Sequence, residues 1–376
     1  MHTLIKNFLN GQSVKWRPLG EVAEIGTGNS NRQDEDENGE YPFYVRSKNI
    51  LRSNTYQFDE TAIIIPGEGG IGDIFHFVEG KYALHQRAYR ICLNNDDINP
   101  KFLFYLMNNC FKNYIIAKSV GATATSIRKP MLEKFPIPIP PLPVQQKIVQ
   151  ILDAFTAVTA ELTAELNLRV KQYQYYRDLL LDFNHLKNPF ANGLNVEWKP
   201  LGKVADYEQP TKYLVSTNNY DDEYQIPVLT AGKTFILGYT NETHGIYLAS
   251  SKPVIIFDDF TTANKWVDFD FKAKSSAMKM ITSKDENQVL LKYIYYWLNT
   301  LSNQQMENDH KRQWISNYAK KKIPIPPPET QTQIVAILDK FDTLTHSISE
   351  GLPREIELRQ KQYEYYRELL LNFQAA

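Results

Sequence analysis

The residue types best suited to cofactor chemistry occur in a glycine-rich stretch, PGEGGIG. Gly67, Gly69 and Gly72 match the G-x-G-x-x-G spacing of dinucleotide-binding loops and follow a strand-like apolar run at residues 62–65. A dinucleotide site also needs a helix directly after the loop, because the N-terminus of that helix faces the pyrophosphate. The stretch that follows here, DIFHFVEG, is aromatic, β-like and stopped by a glycine. The sequence therefore favours a glycine-rich loop at a binding face over a cofactor site.

A second catalytic pattern combines Asp73 with Glu79 and Lys81, which imitates the acidic and lysine residues of metal-dependent nucleases. Glu-x-Lys is common by chance, however, and the seven histidines and two cysteines form no ligand or triad pattern. We therefore expect no catalytic residue and no metal in this chain. A stand-alone nuclease remains an alternative, and it predicts metal-dependent cleavage without partners.

Polar and basic residues that cluster with glycines favour nucleic-acid binding more than catalysis. Arg, Lys, Asn and Gln pair with guanine or adenine edges, and Ser and Thr suit phosphates. For each residue an ordinary solvated surface remains the alternative. The DNA-binding candidates are Arg46, Lys48, Asn49, Gly67, Gly69, Gly72, His85, Gln86, Arg87, Gly121, Thr123, Ser126 and Arg128 in the first half, and Lys233, Thr261, Thr262, Asn264, Lys265, Lys274, Ser275, Ser276, Lys311, Arg312 and Gln313 in the second.

The elements that must position these residues are duplicated. KQYQYYRDLLLDF at residues 171–183 returns as KQYEYYRELLLNF at 361–373, with ten of thirteen positions identical. VKWRPLGEVA, from Val14, is likewise similar to VEWKPLGKVA, from Val196. Both halves also contain an IPIPP segment followed by QxxIVxILD or a close variant. Between these matched segments lie two divergent bodies with mixed strand and helix patterns. A repeated frame around different bodies indicates one scaffold that presents two specificities.

A heptad pattern beyond each proline-rich segment predicts a helix of roughly 45 residues, about 65 Å long. Two such apolar seams cannot stay in water, so we expect them to pack on each other, antiparallel if a pseudo-two-fold axis relates the halves. The second seam is one four-residue unit longer. The predicted interface consists of Ile148, Ile151, Phe155, Leu162, Leu166, Tyr173, Tyr176 and Leu180 from the first helix, and Ile334, Ile337, Phe341, Leu344, Tyr363, Tyr366 and Leu370 from the second.

The composition predicts a globular, cytoplasmic protein whose net charge does not by itself favour DNA. The chain has 376 residues, 43% of them hydrophobic, and its N-terminal MHTLIKNFLNGQS lacks the apolar core of a signal peptide. The net charge is −1, whereas unaided duplex binders usually carry a basic domain. A partner would then supply much of the phosphate contact.

Taken together, the WxPLGxVA starts, the IPIPP segments, the KQYxYYRxLL helix ends and the TAEL tandem at residues 159–166 resemble the specificity subunit of type I restriction-modification systems. The resemblance covers essentially the whole chain. It implies an α+β protein with two α/β target-recognition domains, joined by two long antiparallel coiled-coil helices in a pseudo-two-fold repeat. The recognition domains would be residues 1–142 and 188–328, and the helices residues 143–187 and 329–376.

The same resemblance implies a non-catalytic subunit in which each recognition domain reads one half of a bipartite, asymmetric site in double-stranded DNA. The helices would set the spacer and dock two methyltransferase subunits, which bind S-adenosylmethionine and modify adenine. Restriction subunits that use ATP and Mg would join the complex, and this chain would hold no cofactor. GATATSIRK matches the family's Gly-Ala-Thr stretch near DNA, whereas the second body has ENDHKRQ. The alternative is a repeat scaffold that joins protein partners without reading DNA.

Overall fold

The computed structural model describes residues 2–118, 126–232, 234–301, 312–347 and 349–373. The chain forms two compact units. The first consists of residues 1–163 and 355–376, and the second of residues 164–354. The first unit is therefore built from both ends of the sequence.

The first half of the chain contains most of the first unit and one long helix that continues into the second. Its elements are α1 (Thr3–Leu9), β1 (Lys15–Pro18), β2 (Ala23–Thr27), β3 (Tyr41–Tyr44), β4 (Leu51–Ser53), β5 (Phe58–Pro66), β6 (His76–Leu84), β7 (Ala88–Leu93), α2 (Pro100–Lys118), α3 (Lys129–Glu133), β8 (Pro136–Ile139) and α4 (Leu142–Leu181).

The second half begins with the second body and ends with two helices, the last of which belongs mainly to the first unit. Its elements are β9 (Glu197–Pro200), α5 (Leu201–Val204), β10 (Ala205–Glu208), β11 (Ile226–Leu229), β12 (Ile236–Thr240), β13 (Val254–Asp258), β14 (Asn264–Val267), β15 (Lys272–Ala273), β16 (Met278–Ser283), α6 (Leu291–Leu298), α7 (Gln313–Ser316), β17 (Lys322–Ile325), α8 (Pro328–His346) and α9 (Gly351–Leu371).

The main sheet of the first unit has the strand order β2-β7-β5-β6-β3-β4 and is antiparallel except between β3 and β6. β6 ends at Leu84, beyond the start of β5, whereas β7 begins at Ala88, opposite the end of β5. Side chains of β5 alternate between two cores: Ile63 and Ile65 join α2, and Ile64 joins a smaller cluster on the other face. The parallel pairing of Tyr44 with Leu84 places the ends of β3 and β6 side by side.

The main core of the first unit also includes parts of both long helices. Phe102 and Leu106 of α2 pack in the same cluster as Ile148 and Leu152 of α4 and Leu370 at the end of α9. The second unit builds its body from a four-stranded sheet, β10-β16-β13-β14, and a three-stranded sheet, β12-β11-β15. Its core likewise joins α6 to Ile334 and Leu338 of α8.

The repeated tryptophan and proline motifs pair with each other in each unit. Trp16 in β1 lies opposite Pro138 in β8, and Trp198 in β9 lies opposite Pro324 in β17. Both proline-rich segments therefore have extended backbone. Each segment is a strand of a two-stranded ribbon that closes its body just before the long helix begins, and proline's missing N–H suits such a short ribbon.

The prediction of a continuous second helix is wrong. α4 is one helix of 40 residues, whereas α8 and α9, of 19 and 21 residues, are separated by positions 347–350. The second seam was predicted to be four residues longer than the first, but its helix is interrupted instead of longer. Gly351 has a φ of 76°, and a Cβ there would lie 2.4 Å from the carbonyl oxygen of Thr343. Pro353 lacks an N–H and its ring excludes a preceding helical turn, so the two residues favour a new helix start.

The antiparallel pairing of the helices is confirmed. Phe155 of α4 stacks on Tyr366 of α9 in the first unit, and Tyr176 of α4 stacks on Phe341 of α8 in the second. The partner number falls as the α4 number rises, which is the pairing order of antiparallel helices.

The remaining predicted interface residues are buried or half-buried, with one exception. Ile337 is 37% exposed, whereas its neighbour Leu338 is fully buried, because the body as well as the partner helix covers this part of α8. In α4, likewise, the predicted residue Ile151 is half-buried, whereas its neighbour Leu152 is fully buried. Among the described residues, no helix combines the length and apolar character that a membrane crossing requires.

Candidate nucleic-acid interface

Three separate segments of the first unit converge on one carboxylate. Arg46 follows β3, Glu68 follows β5, and Arg87 lies in the turn between β6 and β7. Glu68 Oε2 lies 3.0 Å from Arg46 Nη1 and 3.1 Å from Arg87 Nη1. The predicted candidates Arg46 and Arg87 are thus neighbours, and Glu68, which the sequence analysis missed, holds them together.

Gly67 makes this convergence possible. Its N–H donates to the Arg87 carbonyl oxygen at 2.8 Å, and its own carbonyl accepts from the N–H of Ile127 at 2.8 Å. A Cβ on Gly67 would lie 2.8 Å from the Arg87 carbonyl oxygen, so a side chain would push the two turns apart. Glu68 also forms a β-bridge with Ser126, which brings a fourth segment into the cluster.

The cluster presents positive charge to solvent. One carboxylate offsets one of two guanidinium charges, and the side chains of Arg46 and Arg87 remain 44% and 55% exposed. A guanidinium has five N–H donors in a planar fork, of which Nη1 of each arginine is directed at Glu68. This geometry suits bidentate binding of a phosphate or of the O6 and N7 acceptors of guanine.

His85 contacts the backbone of Arg87. It is buried, and its Nδ1 accepts from the Arg87 N–H at 3.0 Å. Burial, together with the charges of Arg46 and Arg87, lowers the pKa of His85. The ring is therefore neutral at neutral pH, with its proton on Nε2. Gln86 beside it is exposed and donates to Asn31 Oδ1 at 2.5 Å.

The other candidates of the first unit surround this cluster less closely. Lys48, Asn49 and Arg128 are exposed. Ser47, between Arg46 and Lys48, is held by His76, whose Nε2 lies 3.0 Å from the Ser47 carbonyl oxygen. Gly69 and Gly72 have φ values of 66° and 75°. The loop leads into strand β6, whereas a dinucleotide-binding loop leads into a helix. Gly121 and Thr123 lie outside the described residues.

Two of the three residues of the nuclease alternative, Asp73 and Lys81, have other partners. Asp73 Oδ1 lies 2.7 Å from Lys112 Nζ, and Lys81 Nζ lies 4.7 Å from the centre of the Tyr56 ring. Within the part of the chain that the structure describes, no group of three or more His, Cys, Asp or Glu residues could hold a metal ion. The described residues therefore give no support to a nuclease site.

In the second unit, the turn between β13 and β14 and the first two residues of β14 carry four of the candidates. Asp258 Oδ1 accepts from the N–H groups of Phe260 and Thr261 at 2.8 and 3.1 Å, and Thr262 has a φ of 62°. Thr261 and Lys265 are exposed, and Thr262 and Asn264 are half-buried. The turn thus displays hydroxyl, amide and ammonium groups on a backbone that Asp258 organises.

Asp259 connects this turn to a distant segment. Its carbonyl oxygen accepts from the Gln313 N–H at 2.8 Å, and its Oδ1 accepts from the Trp314 N–H at 2.8 Å. Lys279 Nζ lies 3.6 Å from Asp259 Oδ2, and both side chains are buried. Gln313, and with it the exposed Arg312, therefore lies beside the turn. Sequence reasoning missed Asp259 and Lys279, because neither stands in a recognisable motif.

The candidates Lys274, Ser275 and Ser276 lie at the same end of the sheet. They precede β16, whose first residue, Met278, pairs with Asp258. Ser275 and Ser276 are exposed, and Lys274 donates to Asn218 Oδ1. Lys233 and Lys311 lie outside the described residues.

Glu242 orders the loop that contacts Lys274. Its carboxylate accepts from the N–H groups of Ser216 and Thr217, at 2.9 and 3.1 Å, and lies 2.9 Å from the buried ammonium of Lys272. The hydrogen bond from Lys272, followed by those from the backbone, lowers the pKa of Glu242 to about 2. This ion pair is a second feature that sequence reasoning missed.

Comparison with known proteins gives a consistent result. The model of the type I restriction modification DNA specificity domain matches twice, at residues 12–172 and 195–358. A putative type I restriction enzyme specificity subunit of Haemophilus influenzae is 33% identical over 405 residues, covering 99% of this chain and 98% of that protein. A type I restriction enzyme specificity subunit of Escherichia coli is 66% identical over 189 residues, but this match spans only 48% of this chain and 46% of that protein.

Solved structures support the fold. The S subunit of a type I restriction-modification system from M. genitalium has a TM-score of 0.68 at 16% identity, covering 97% of this chain and 98% of that chain. A chain from a structural study of type I R-M complex assembly and conformational transition has a TM-score of 0.51 at 15% identity, covering 96% and 98%. Because the domain model matches most of both halves and a relative aligns over nearly the full length, the chain belongs to the family of type I restriction-modification DNA specificity subunits.

Proposed function

We propose that this chain reads a bipartite, asymmetric site in double-stranded DNA for a type I restriction-modification complex and has no catalytic residue of its own. The observation that carries the proposal is that the DNA specificity domain occurs twice, while the polar clusters of the two units differ. Two domains with different contacts suit two different half-sites. We assign recognition to residues 1–142 and 188–328, and assembly to residues 143–187 and 329–376.

Base readout in the first unit would rely on Arg46 and Arg87. Their guanidinium groups are held by Glu68 and exposed, as direct readout of guanine requires. In the second unit, Lys265, Lys274 and Arg312 would contact phosphates or bases, with Thr261 and Gln313 nearby. The near-neutral net charge fits a subunit that shares phosphate contacts with its partners.

The long helices would dock two copies of a methyltransferase. Leu168 and Tyr175 lie seven residues apart on α4 and are 61% and 58% exposed. The repeat places Leu358 and Tyr365 at matching positions on α9, at 43% and 58% exposure. Residues seven apart lie on one helix face, so each unit carries the same apolar pair. Two equal surfaces suit two copies of one partner.

The partners would supply all the chemistry. The methyltransferases would bind S-adenosylmethionine and modify adenine, and restriction subunits would use ATP and Mg for cleavage. The complex would act on DNA in the cytoplasm.

Mapping modified adenines tests this function. DNA from cells that express this chain with its methyltransferase is compared with DNA from cells that express the methyltransferase alone. We expect a split, asymmetric motif that appears only when this chain is present. A stable complex that modifies no such motif would overturn the proposal.

A further inference from the structure

A fully buried glutamine joins the long helix to the body in the first unit. Gln145, in the first turn of α4, is 0% exposed. Its Oε1 accepts from the Asn99 N–H at 2.9 Å, just before α2. Its Nε2 donates to the carbonyl oxygens of Asp97 and Pro140, at 2.8 and 2.7 Å. One side chain thus ties together the loop before α2, the end of the proline-rich strand and the start of α4.

The second unit contains the same arrangement. Gln331 of α8 is 0% exposed, and its Oε1 accepts from the Leu290 N–H at 2.9 Å, just before α6. Its Nε2 donates to the carbonyl oxygens of Gln288 and Pro326, at 2.9 and 2.8 Å. The three bonds match those of Gln145 one for one, although the two bodies differ widely in sequence.

A second contact, two turns further along each helix, prevents rotation about the glutamine. Asp153 of α4 accepts from the hydroxyl of Tyr105 at 2.6 Å and from Lys101 Nζ at 2.8 Å, both on α2. In the other unit, Asp339 of α8 accepts from the Tyr296 hydroxyl and lies 3.5 Å from Lys292 Nζ, both on α6. Each long helix is therefore fixed to its body at two points.

The chemistry of the site requires glutamine. An uncharged amide has one acceptor oxygen and two N–H donors, which match one backbone N–H and two carbonyl oxygens. A glutamate would place a buried carboxylate against two carbonyl oxygens, and an apolar residue would leave all three backbone groups without this partner. A pattern that only glutamine satisfies, and that occurs twice, points to a geometric role.

Resting on the function proposed above, we propose that two pairs of side chains are positioning residues, Gln145 with Asp153 and Gln331 with Asp339. Each pair fixes the angle between one recognition body and its long helix. Together they define the length of the unspecified DNA spacer. The geometry is sensitive to this angle. A 40-residue helix is about 60 Å long, so a tilt of about 5° at one end moves the other by about 5 Å. That exceeds the rise of one base pair, about 3.4 Å.

The test uses Gln145→Leu and Gln331→Leu separately, each in complex with the methyltransferase. The substrates are duplexes that carry both half-sites at the normal spacing and at one base pair more or fewer. We expect both half-sites to stay unchanged. The measured quantity is the rate of modification of the off-length duplexes divided by the rate for the duplex of normal spacing. This ratio should be about tenfold higher for each leucine variant than for the original protein. Gln146→Leu is the matched control, because Gln146 is the exposed neighbour on the same turn, and it should keep the normal spacer preference.

Tyr105→Phe and Tyr296→Phe decide the question if the leucine variants do not assemble, because each removes only a hydroxyl from the second contact. A merely structural role would lower thermal stability and overall rate while leaving the spacer preference intact, and that result would overturn the proposal. If the unmodified complex shows no split motif at all, the proposed function fails instead. The two failures are therefore distinguishable.

Discussion

At the scale of single residues, the proposed recognition surface of the first unit depends on one carboxylate that holds two arginines. Glu68 reaches Arg46 and Arg87 from the glycine loop, and Gly67 lets the turns approach. An arginine held in this way loses less conformational entropy when it binds than one that is mobile in solvent. Glu68 therefore preorganises the contact without being a recognition residue itself.

Replacing Arg87 with alanine should relax one position of one half-site. Loss of a bidentate base contact costs about 1–3 kcal/mol, so modification of the preferred site should fall by about 5- to 150-fold. The measurement is methylation of a library randomised across both half-sites. Arg17→Ala is the control, since Arg17 is an arginine of the same unit that pairs with Glu21 away from the cluster. A uniform loss at all sequences would assign Arg87 to phosphate binding instead.

Glu242 gives the second unit a measurable dependence on pH. Its folded-state pKa, about 2, lies below the ordinary 4.5, so its ion pair stabilises the folded state above pH 4.5. That contribution falls as the pH drops from 4.5 towards 2. Glu242→Gln should lower the free energy of unfolding by about 2 kcal/mol at neutral pH, because the buried Lys272 loses a charged partner.

Denaturant unfolding of both proteins between pH 7 and pH 2.5 checks this prediction. The stability difference between them should shrink towards the acidic end. A difference that stays constant with pH would show that the carboxylate is not held in its charged form by Lys272.

Residue type revealed some of these sites and not others. Arg46, His85 and Arg87 are the kinds of residue that bind DNA, so their selection needed no structure. Glu68, Asp259 and Lys279 act by holding other residues, and their partners are far away in sequence. Gln145 is part of a visible repeat, but its three backbone bonds depend on the packing of two helices and a strand.

At the scale of elements, local pattern predicted the first long helix, missed the break in the second and gave the strands incompletely. The first long helix is the continuous α4, Leu142–Leu181, whose sequence after Pro143 contains neither proline nor glycine. The strand predicted at residues 62–65 is part of the longer β5, Phe58–Pro66, because its first half is polar and pairs with β6. The heptad pattern did not predict the break before Gly351. Apolar periodicity depends only on the order of side chains and gives no information on the positive φ of Gly351.

Deleting Thr163 to Leu166 from α4 should shorten the spacer by one or two base pairs while both half-sites stay the same. Four residues contribute about 6 Å of helix and about 40° beyond a full turn, and DNA rises about 3.4 Å per base pair. The segment has no role in either body's polar cluster. An adenine modification map of the deletion complex provides the measurement.

Replacing the same four residues by AAAA keeps the helix length and serves as the control. The control should retain the original spacer. Altered half-sites in the deletion variant, with the spacer unchanged, would contradict the idea that α4 acts as a ruler.

At the scale of the whole molecule, duplication offers a test of stoichiometry. Tyr175→Ala and Tyr365→Ala each remove an exposed ring from one of two equivalent surfaces. Each single variant should form complexes with one methyltransferase, and the double variant should bind weakly or not at all, because truncating an interfacial tyrosine can cost about 2 kcal/mol or more.

Native mass spectrometry of the complexes gives the subunit count directly. Leu186→Ala is a control, because Leu186 is almost wholly exposed and lies outside the repeated pair. If both single variants still bind two methyltransferases as tightly as the original protein, the partner uses a different face.

The composition of the first unit has a consequence for protein synthesis. Its core contains Leu370, Leu371 and Phe373 together with Ile5, Leu19 and Phe102. The second unit is one uninterrupted stretch, residues 164–354. A ribosome therefore synthesises every residue of the second unit before it adds Leu370, Leu371 and Phe373 to the core of the first. The first body cannot complete its core until these residues are available, so a nascent chain stalled before residue 355 would expose an unfinished hydrophobic surface to chaperones.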